Sequence, residues 1–213
     1  MRQRDGLAMI TLYTFGSPNG RKASILLEEL GLSYKVHKVD LVAGDNKLPD
    51  YLALSPIGKM PAVLEELPGG KRRRLFGSGA IMLHYAERTG RLIPEDVDER
   101  AEGLSWFMLG ISDLGPTSVD MLRFSMRAPE KFPYAIDLFK GELMRCYTAL
   151  DDRLGEVEYL AGAYSIADIA ASPSSRRRRW RAAGCSTASP TWKRWHDLVA
   201  ARPAVQRGMA VPE

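Results

Sequence analysis

The stretch MITLYTFGSPNGRKASILLEELG, residues 9–31, determines how the fold begins. Its first six residues alternate in polarity as a β-strand does, and residues 21–30 carry leucine and isoleucine at helical spacing before Gly31, a typical helix-ending residue. Between them lies TFGSPNGRK, residues 14–22, a loop of small, polar and turn-forming residues. A loop of this kind at a strand-to-helix junction often carries residues that position a ligand.

The pattern of the chain changes near residue 92. YKVHKVDL, residues 34–41, alternates with period two and completes a βαβ unit. A turn at SPIGKMPAV, a hairpin around LPGGKRRRLF and a helix from Ser78 to Thr89 follow, whereas the later sequence is helical in pattern. We therefore expect a small α/β domain at residues 9–92 and an all-helical domain at residues 93–213.

Length and hydropathy indicate a globular protein. With 213 residues, of which 45% are hydrophobic, the chain can bury one large core or two modest ones. No apolar run approaches the roughly 20 residues that a membrane-spanning helix needs. The start, MRQRDGLAMITLY, has neither the apolar stretch nor the small-residue cleavage site of a secretory signal. We expect a cytoplasmic protein without a membrane partner.

Charge and cysteine content argue against several kinds of site. The net charge of +4 is mild, and much of it lies in two runs, GKRRRL at residues 70–75 and SRRRRWR at residues 175–181. No aromatic-studded basic groove accompanies these runs, so they predict solvated surface and no nucleic-acid partner. Cys146 and Cys185 lie far apart and outside any Cys-x-x-Cys pair. This spacing argues against a disulfide scaffold, a metal site and a dithiol redox pair.

Two short motifs carry local structural information. In YSIADIA, Ser165 and Asp168 have the spacing of a capping box, in which each side chain accepts from the other residue's backbone amide. In GKMPAV, Pro61 cannot donate to a sheet and should open a strand. A cis Met60–Pro61 peptide would turn the Met60 backbone toward an extended ligand, whereas a trans proline in a simple turn is the alternative.

Several motifs in sequence order resemble the cytosolic glutathione transferases. They are TLYTFGSPNGRKASILLEELGLSYKVHKVDL, LSPIGKMPAV, SGAIMLHYAERTG, GPTSVDMLRFSMRAPEKFPYAI and SIADIA. More narrowly, the chain is similar to the bacterial Nu-class branch, whose members act as glutathione-dependent disulfide-bond oxidoreductases. The resemblance implies a thioredoxin-like domain that binds glutathione, an all-α domain that supplies a cleft for the second substrate, and a homodimer. It also implies glutathione as co-substrate and a small electrophile or disulfide as substrate.

The opening loop can be interpreted through the chemistry of a thiol. A free thiol with a pKa of about 8.5 is mostly protonated at neutral pH, so donors must stabilise the reactive thiolate. The Ser17 hydroxyl, the Asn19 amide and the positive end of the following helix can supply them. The resemblance implies that Ser17 and Asn19 are catalytic; the alternative is that they only cap the helix. Since the loop has no cysteine, the sulfur chemistry would belong to one or two bound glutathiones.

The resemblance also implies residues that hold glutathione. They are Asn46 at its peptide, Lys59 near its glycine carboxylate, Met60 through its backbone beside Pro61, and Gly77 and Ser78 at its γ-glutamyl end.

Three positions depart from the family pattern. Gly77 gives GSGA where the family has ESGA, so the carboxylate expected to pair with the γ-glutamyl ammonium is missing. Leu138 stands where Nu-class relatives carry an arginine, and Met121 where they carry a polar residue that reaches across the dimer. A second hypothesis therefore stays open: a non-catalytic binding module of the same fold with weakened glutathione affinity.

Residues 172–191, SPSSRRRRWRAAGCSTASPT, do not fit a core helix begun at Ser165, because they turn small and basic. We hypothesise a local reading-frame disturbance. The peptide CSTASPTW can be encoded by a string that reads LFDGFPNV one base over, which is close to the family pattern. That pattern resumes at KRWHDLVAARPAVQRGM.

Overall fold

A computed structural model describes residues 9–173 and 189–212 of the chain. These residues fall into two compact units. The first joins residues 9–89 with residues 203–212, and the second comprises residues 90–173 and 189–202.

A four-stranded sheet organises the first unit. Its strands are β1 (Met9–Thr14), β2 (Tyr34–Lys38), β3 (Ala62–Glu66) and β4 (Arg72–Phe76), in the spatial order β2-β1-β3-β4. β1 runs parallel to β2 and antiparallel to β3, and β3 pairs antiparallel with β4. The predicted βαβ unit and hairpin are therefore confirmed.

Helices pack against this sheet, whose side chains alternate between its two faces. They are α1 (Pro18–Leu30), α2 (Pro49–Leu54) and α3 (Ser78–Thr89). Ile10 and Leu12 of β1 are buried, whereas Tyr13 points to the opposite face and packs with Tyr51 of α2. This alternation gives the sheet two apolar faces, as a thioredoxin-like layer requires.

Basic residues of β4 are largely engaged by neighbouring groups. Glu65 of β3 is fully buried and accepts from Arg73 at 3.0 Å, from Arg88 at 2.8 Å and from the Tyr85 hydroxyl at 2.9 Å. Arg74 donates to the Ala53 carbonyl. The 70–75 run therefore contributes to the packing of its own unit.

The described part of the second unit is helical. Its helices are α4 (Val97–Met108), α5 (Gly115–Leu122), α6 (Pro133–Glu156), α7 (Ile166–Ala171) and α8 (Pro190–Ala201), and π-helical turns follow α4 and α5 at Leu109–Leu114 and Arg123–Arg127. α6 packs against α5 and α8, and α4 packs against α7. The predicted fold class, an α/β thioredoxin-like region followed by an all-α region, is confirmed.

The predicted capping box begins α7. The Asp168 carboxylate accepts from the Ser165 amide at 3.0 Å, and the Ser165 hydroxyl oxygen accepts from the first-turn backbone. Asp168 also accepts from the Leu160 amide at 3.1 Å and from the Trp195 indole at 2.8 Å. Burial raises the pKa of Asp168, although these donors act in the opposite direction. Asp168 thus links α7 to Trp195 of α8 as well as capping α7.

A last helix, α9 (Pro203–Ala210), packs in the first unit against α1. The Ser24 hydroxyl donates to the Gly208 carbonyl at 2.6 Å, and Arg207 pairs with Glu28 at 2.6 Å. The compact units differ here from the sequence-based division, which assigns residues 93–213 to one domain. The difference arises from tertiary packing, because the face of α9 that carries small residues fits against α1. The domain boundaries at residues 9–92 and 93–213 stay a proposal.

The segment 172–191 and the hydropathy of the helices bear on two further expectations. Residues 174–188, which include Cys185 and most of the 172–191 segment, lie outside the described residues, so the reading-frame hypothesis stays untested. Among the helices that the structure describes, none is long and apolar enough to cross a membrane.

Candidate active site

The strand register gathers the predicted site residues at one edge of the sheet. Ala62, the first residue of β3, pairs with Tyr13 on one side and with Phe76 on the other. The Val39 amide donates to the Thr14 carbonyl at 2.9 Å at the end of β2. The loop after β1, the turn before β3 and the turn after β4 therefore all leave the sheet at the same edge.

Ser17 caps the helix that follows β1. Its backbone is extended, and its hydroxyl oxygen accepts from the Gly20 amide at 3.2 Å. Pro18 occupies the first helical position, where its missing N–H removes no helical bond. Since the Ser17 oxygen acts as acceptor, its proton is left to donate to a second group. Capping and donation to a ligand are therefore compatible at this residue.

Asn19 is the second residue of α1, and its side chain is exposed. Pro18 has no N–H, and the Gly20 amide donates to the Ser17 hydroxyl oxygen, so the Asn19 amide remains for a ligand in this turn. The helix dipole adds partial positive charge there. An anion next to Ser17 and Asn19 would meet the Ser17 hydroxyl proton and the Asn19 backbone and side-chain amides together. The catalytic roles of Ser17 and Asn19 stay predictions.

Asn46 supports the turn that precedes β3. It lies in a short 3₁₀ turn, Asp45–Lys47, and its side-chain nitrogen donates to the Gly58 carbonyl at 3.0 Å. The amide group predicted to contact a ligand peptide is thus engaged in part by the protein itself.

Two hydroxyl groups fix the backbone at Lys59. The Lys59 carbonyl accepts from the Tyr51 hydroxyl at 3.1 Å and from the Ser55 hydroxyl at 2.8 Å, while the Lys59 side chain is exposed. Burial raises the pKa of Tyr51 to about 12, so this donor keeps its proton at neutral pH. Sequence reasoning did not identify Tyr51 and Ser55, because nothing in LPDYLALS indicates where the carbonyl of residue 59 will lie.

The Met60–Pro61 peptide bond is cis, as one of the two sequence alternatives expected. The Met60 side chain is half-buried against Val39, Tyr51 and Ala62. Pro61 is buried, and its carbonyl accepts from the Gly77 amide at 3.0 Å. This bond joins the turn before β3 to the turn after β4.

Gly77 and Ser78 form the start of α3. Gly77 has a φ of +81°, in the left-handed region that favours glycine, and no other group fills the space that a side chain would enter. Ser78 is the first residue of α3 and is 7% exposed. The left-handed backbone is a structural reason for a glycine at position 77, which the sequence motif GSGA did not reveal.

The remaining predicted positions lie in the second unit. Met121 is buried in α5, whereas Leu138 is 46% exposed on α6. Cys146 is partly buried on α6, where burial raises the pKa of its thiol. Within the described residues, no group of three or more His, Cys, Asp or Glu could hold a metal ion.

Comparisons with known proteins agree with this architecture. Residues 8–87 match the family model described as the glutathione S-transferase N-terminal domain. The chain is 38% identical over 205 residues to the disulfide-bond oxidoreductase YfcG of Escherichia coli, with 94% of each chain covered. It is 33% identical over 217 residues to the disulfide-bond oxidoreductase YghU of the same organism, with 95% of this chain and 74% of the relative covered.

Solved structures extend the similarity to three dimensions. A glutathione transferase from Burkholderia graminis, with two glutathione molecules bound per subunit, has a TM-score of 0.89 and 34% identity, covering 96% of this chain and 89% of that one. A glutathione transferase from Pseudomonas putida, with one glutathione disulfide bound per subunit, has the same TM-score and identity, covering 96% and 92%. The identity and coverage confirm the resemblance found in the sequence: the chain belongs to the glutathione transferase family.

Proposed function

We propose that this protein is a glutathione-dependent enzyme that reduces disulfides or conjugates glutathione to an electrophile. The bound tripeptide lies at the sheet edge described above, with its sulfur near Ser17 and Asn19. Two relatives are named disulfide-bond oxidoreductases, and similar structures contain glutathione or its disulfide. We therefore favour disulfide reduction.

The observation that carries the proposal is the meeting of two helix starts at that edge. α1 begins at Pro18 and α3 at Ser78, and the register Tyr13–Ala62–Phe76 brings both to one end of the sheet. Helix N-termini favour anions. Glutathione has an ionisable thiol and a γ-glutamyl carboxylate, so one helix start can serve each group.

Each remaining predicted residue matches another part of the tripeptide. The Met60 backbone pairs with the extended ligand, and Asn46 contacts its peptide. Lys59 attracts the glycine carboxylate, and Ser78 holds the γ-glutamyl carboxylate. The hydrogen bonds from Tyr51 and Ser55 to the Lys59 carbonyl support this arrangement, because they fix the turn that carries Met60.

The reaction needs no protein thiol. The thiolate of one glutathione attacks a sulfur of the substrate disulfide, which forms a mixed disulfide and releases the other sulfur as a thiolate that takes up a proton. A second glutathione thiolate attacks the glutathione sulfur of the mixed disulfide. The products are two substrate thiols and one glutathione disulfide, so the two electrons come from the two glutathiones.

A second candidate is a non-catalytic module with weakened glutathione affinity. The observation that favours it is Gly77, which offers no carboxylate to the γ-glutamyl ammonium. The two candidates predict different turnover, since only the enzyme accelerates the chemistry of bound glutathione.

We also propose that the protein is a cytoplasmic homodimer with no nucleic-acid or membrane partner. The family resemblance supports the dimer. The engagement of Arg73 and Arg74 within their own unit supports the absence of a basic groove there. Light scattering should give twice the chain mass of 23.7 kDa.

Binding and turnover together test the proposed function. Calorimetry should detect glutathione binding, and reduction of 2-hydroxyethyl disulfide by glutathione should be faster than without protein. A matched control is Ser33→Ala, since Ser33 is exposed in the loop after α1 and lies outside the proposed site. Glutathione binding without turnover of this disulfide or of an aromatic electrophile would favour the non-catalytic module.

A further inference from the structure

A cavity of about 380 Å³ lies in the first unit, next to α2. It is lined by residues of β1, of β2 and the segment after it, and of α2 and the turn before it. Tyr13, which the proposed glutathione chemistry does not use, forms part of its wall. The volume is within the range of roughly 300 to 1,000 Å³ that is typical of small-molecule sites.

Three rings form one part of the lining. The ring centroids of Tyr13 and His37 are 4.7 Å apart, and those of Tyr13 and Tyr51 are 6.4 Å apart. The faces of the two tyrosine rings carry negative electrostatic potential, which attracts a cation within about 6 Å of the ring centroid. Clusters of such rings are suited to ammonium groups.

Two carboxylates add formal negative charge to the same cavity. Asp45 lines the cavity, and one of its carboxylate oxygens accepts from the Asp40 amide at 2.9 Å. Asp50 has no hydrogen bond or ion pair with any residue in the described ranges. No lysine or arginine belongs to the lining that the structure describes. The cavity therefore has the opposite charge preference to the proposed glutathione site, because glutathione is an anion.

We propose that this cavity binds a small organic cation. Its ammonium head is attracted by Asp45, Asp50 and the tyrosine rings, and its carbon chain contacts Val39, Leu48 and Leu54. The charge of the lining selects against anions, and the apolar residues select for alkylated ammonium ions over bare metal ions. The cavity shares Tyr51 with the turn at Lys59, but neither Asp45 nor Asp50 belongs to the proposed glutathione site.

A pair of isosteric probes tests the charge preference. Choline and 3,3-dimethyl-1-butanol have nearly the same shape, but only choline is charged. Calorimetry and the NMR signals of the His37 ring should show choline binding with a roughly millimolar dissociation constant and the neutral alcohol binding at least about tenfold more weakly. Choline affinity should fall between 50 and 500 mM sodium chloride, because salt screens the two carboxylates.

Matched variants locate the site. Asp50→Asn should lower choline affinity about fivefold, since it removes one charge without changing shape. Asp152→Asn should leave affinity unchanged, because Asp152 is exposed on α6 and does not line the cavity. Both residues are exposed, so both variants should fold. Equal binding of the two probes, no choline binding at 50 mM, or unchanged affinity in Asp50→Asn would overturn the proposal.

Discussion

The hydroxyl of Ser17 can form two hydrogen bonds, one within the fold and one to a ligand. Its oxygen accepts from the Gly20 amide at 3.2 Å, and its proton is left for a second acceptor. A loss of activity in Ser17→Ala could therefore arise from a weakened helix start or from a lost donor. Substitutions that separate the acceptor from the donor can distinguish these causes.

Three variants of Ser17 make this separation. Ser17→Ala removes cap and donor, so we expect about 1 kcal/mol less stability and a roughly tenfold to hundredfold lower kcat/KM for disulfide reduction. Ser17→Asp can still cap but cannot donate when ionised, so stability should recover and activity should not. Ser17→Thr keeps both functions. Thermal denaturation and the coupled reductase assay measure the two effects, and full activity in Ser17→Asp would contradict a donor role.

Gly77 combines a missing carboxylate with a left-handed backbone at φ +81°. Gly77→Glu should tighten glutathione binding about tenfold, because a carboxylate then faces the γ-glutamyl ammonium. Gly77→Ala is the matched control, since it introduces the same backbone strain without the charge. Both variants should lose about 1 to 2 kcal/mol of stability. Titration calorimetry and chemical denaturation give the two quantities; equal glutathione affinity in the two variants would show that the carboxylate has no partner there.

At the scale of elements, α9 is attached to α1 by close backbone approach. A Cβ on Gly208 would lie 2.5 Å from the Ile25 Cα, and the Ser24 hydroxyl already donates to the Gly208 carbonyl. Gly208→Ala should therefore destabilise the protein by about 1 to 3 kcal/mol through overpacking. Gly141→Ala is the control, because no group lies within 4 Å of the added carbon on α6.

The stability of the Gly141→Ala control should change in the opposite direction. An exposed glycine in a helix interior is less favourable than alanine by about 0.5 to 1 kcal/mol, so Gly141→Ala should stabilise. Urea denaturation of the two variants measures both signs. If Gly208→Ala were as stable as the parent, the close contact between α9 and α1 would be absent in solution.

For the whole molecule, local chemistry could be predicted from the sequence and long-range support could not. The strand-loop-helix start, the capping box at Ser165 and the proline immediately before β3 follow from a few adjacent residues. Tyr51 holds the Lys59 carbonyl, and α9 packs on α1 across most of the chain length. Such contacts depend on how separate elements and turns pack together, which neither spacing nor propensity determines. The φ of Gly77 likewise depends on the turn that joins it to Pro61.

The cysteine content of the whole chain bears on which thiols react. Cys146 is partly buried on α6, and burial raises the pKa of its thiol, so its thiolate fraction at neutral pH is small. Cys185 lies outside the described residues. If both electrons come from glutathione, the variant that combines Cys146→Ser with Cys185→Ser should keep kcat/KM for disulfide reduction within about twofold of the parent.

Mass spectrometry gives an independent measure of the same mechanism. During turnover, a mixed disulfide of glutathione and substrate should appear in solution, because the first thiolate attack joins those two molecules. The intact mass of the protein should not change, since neither cysteine takes part in the exchange. A covalent adduct on the parent chain that forms and decays at the rate of turnover, together with an inactive double variant, would assign the sulfur chemistry to the protein and not to glutathione.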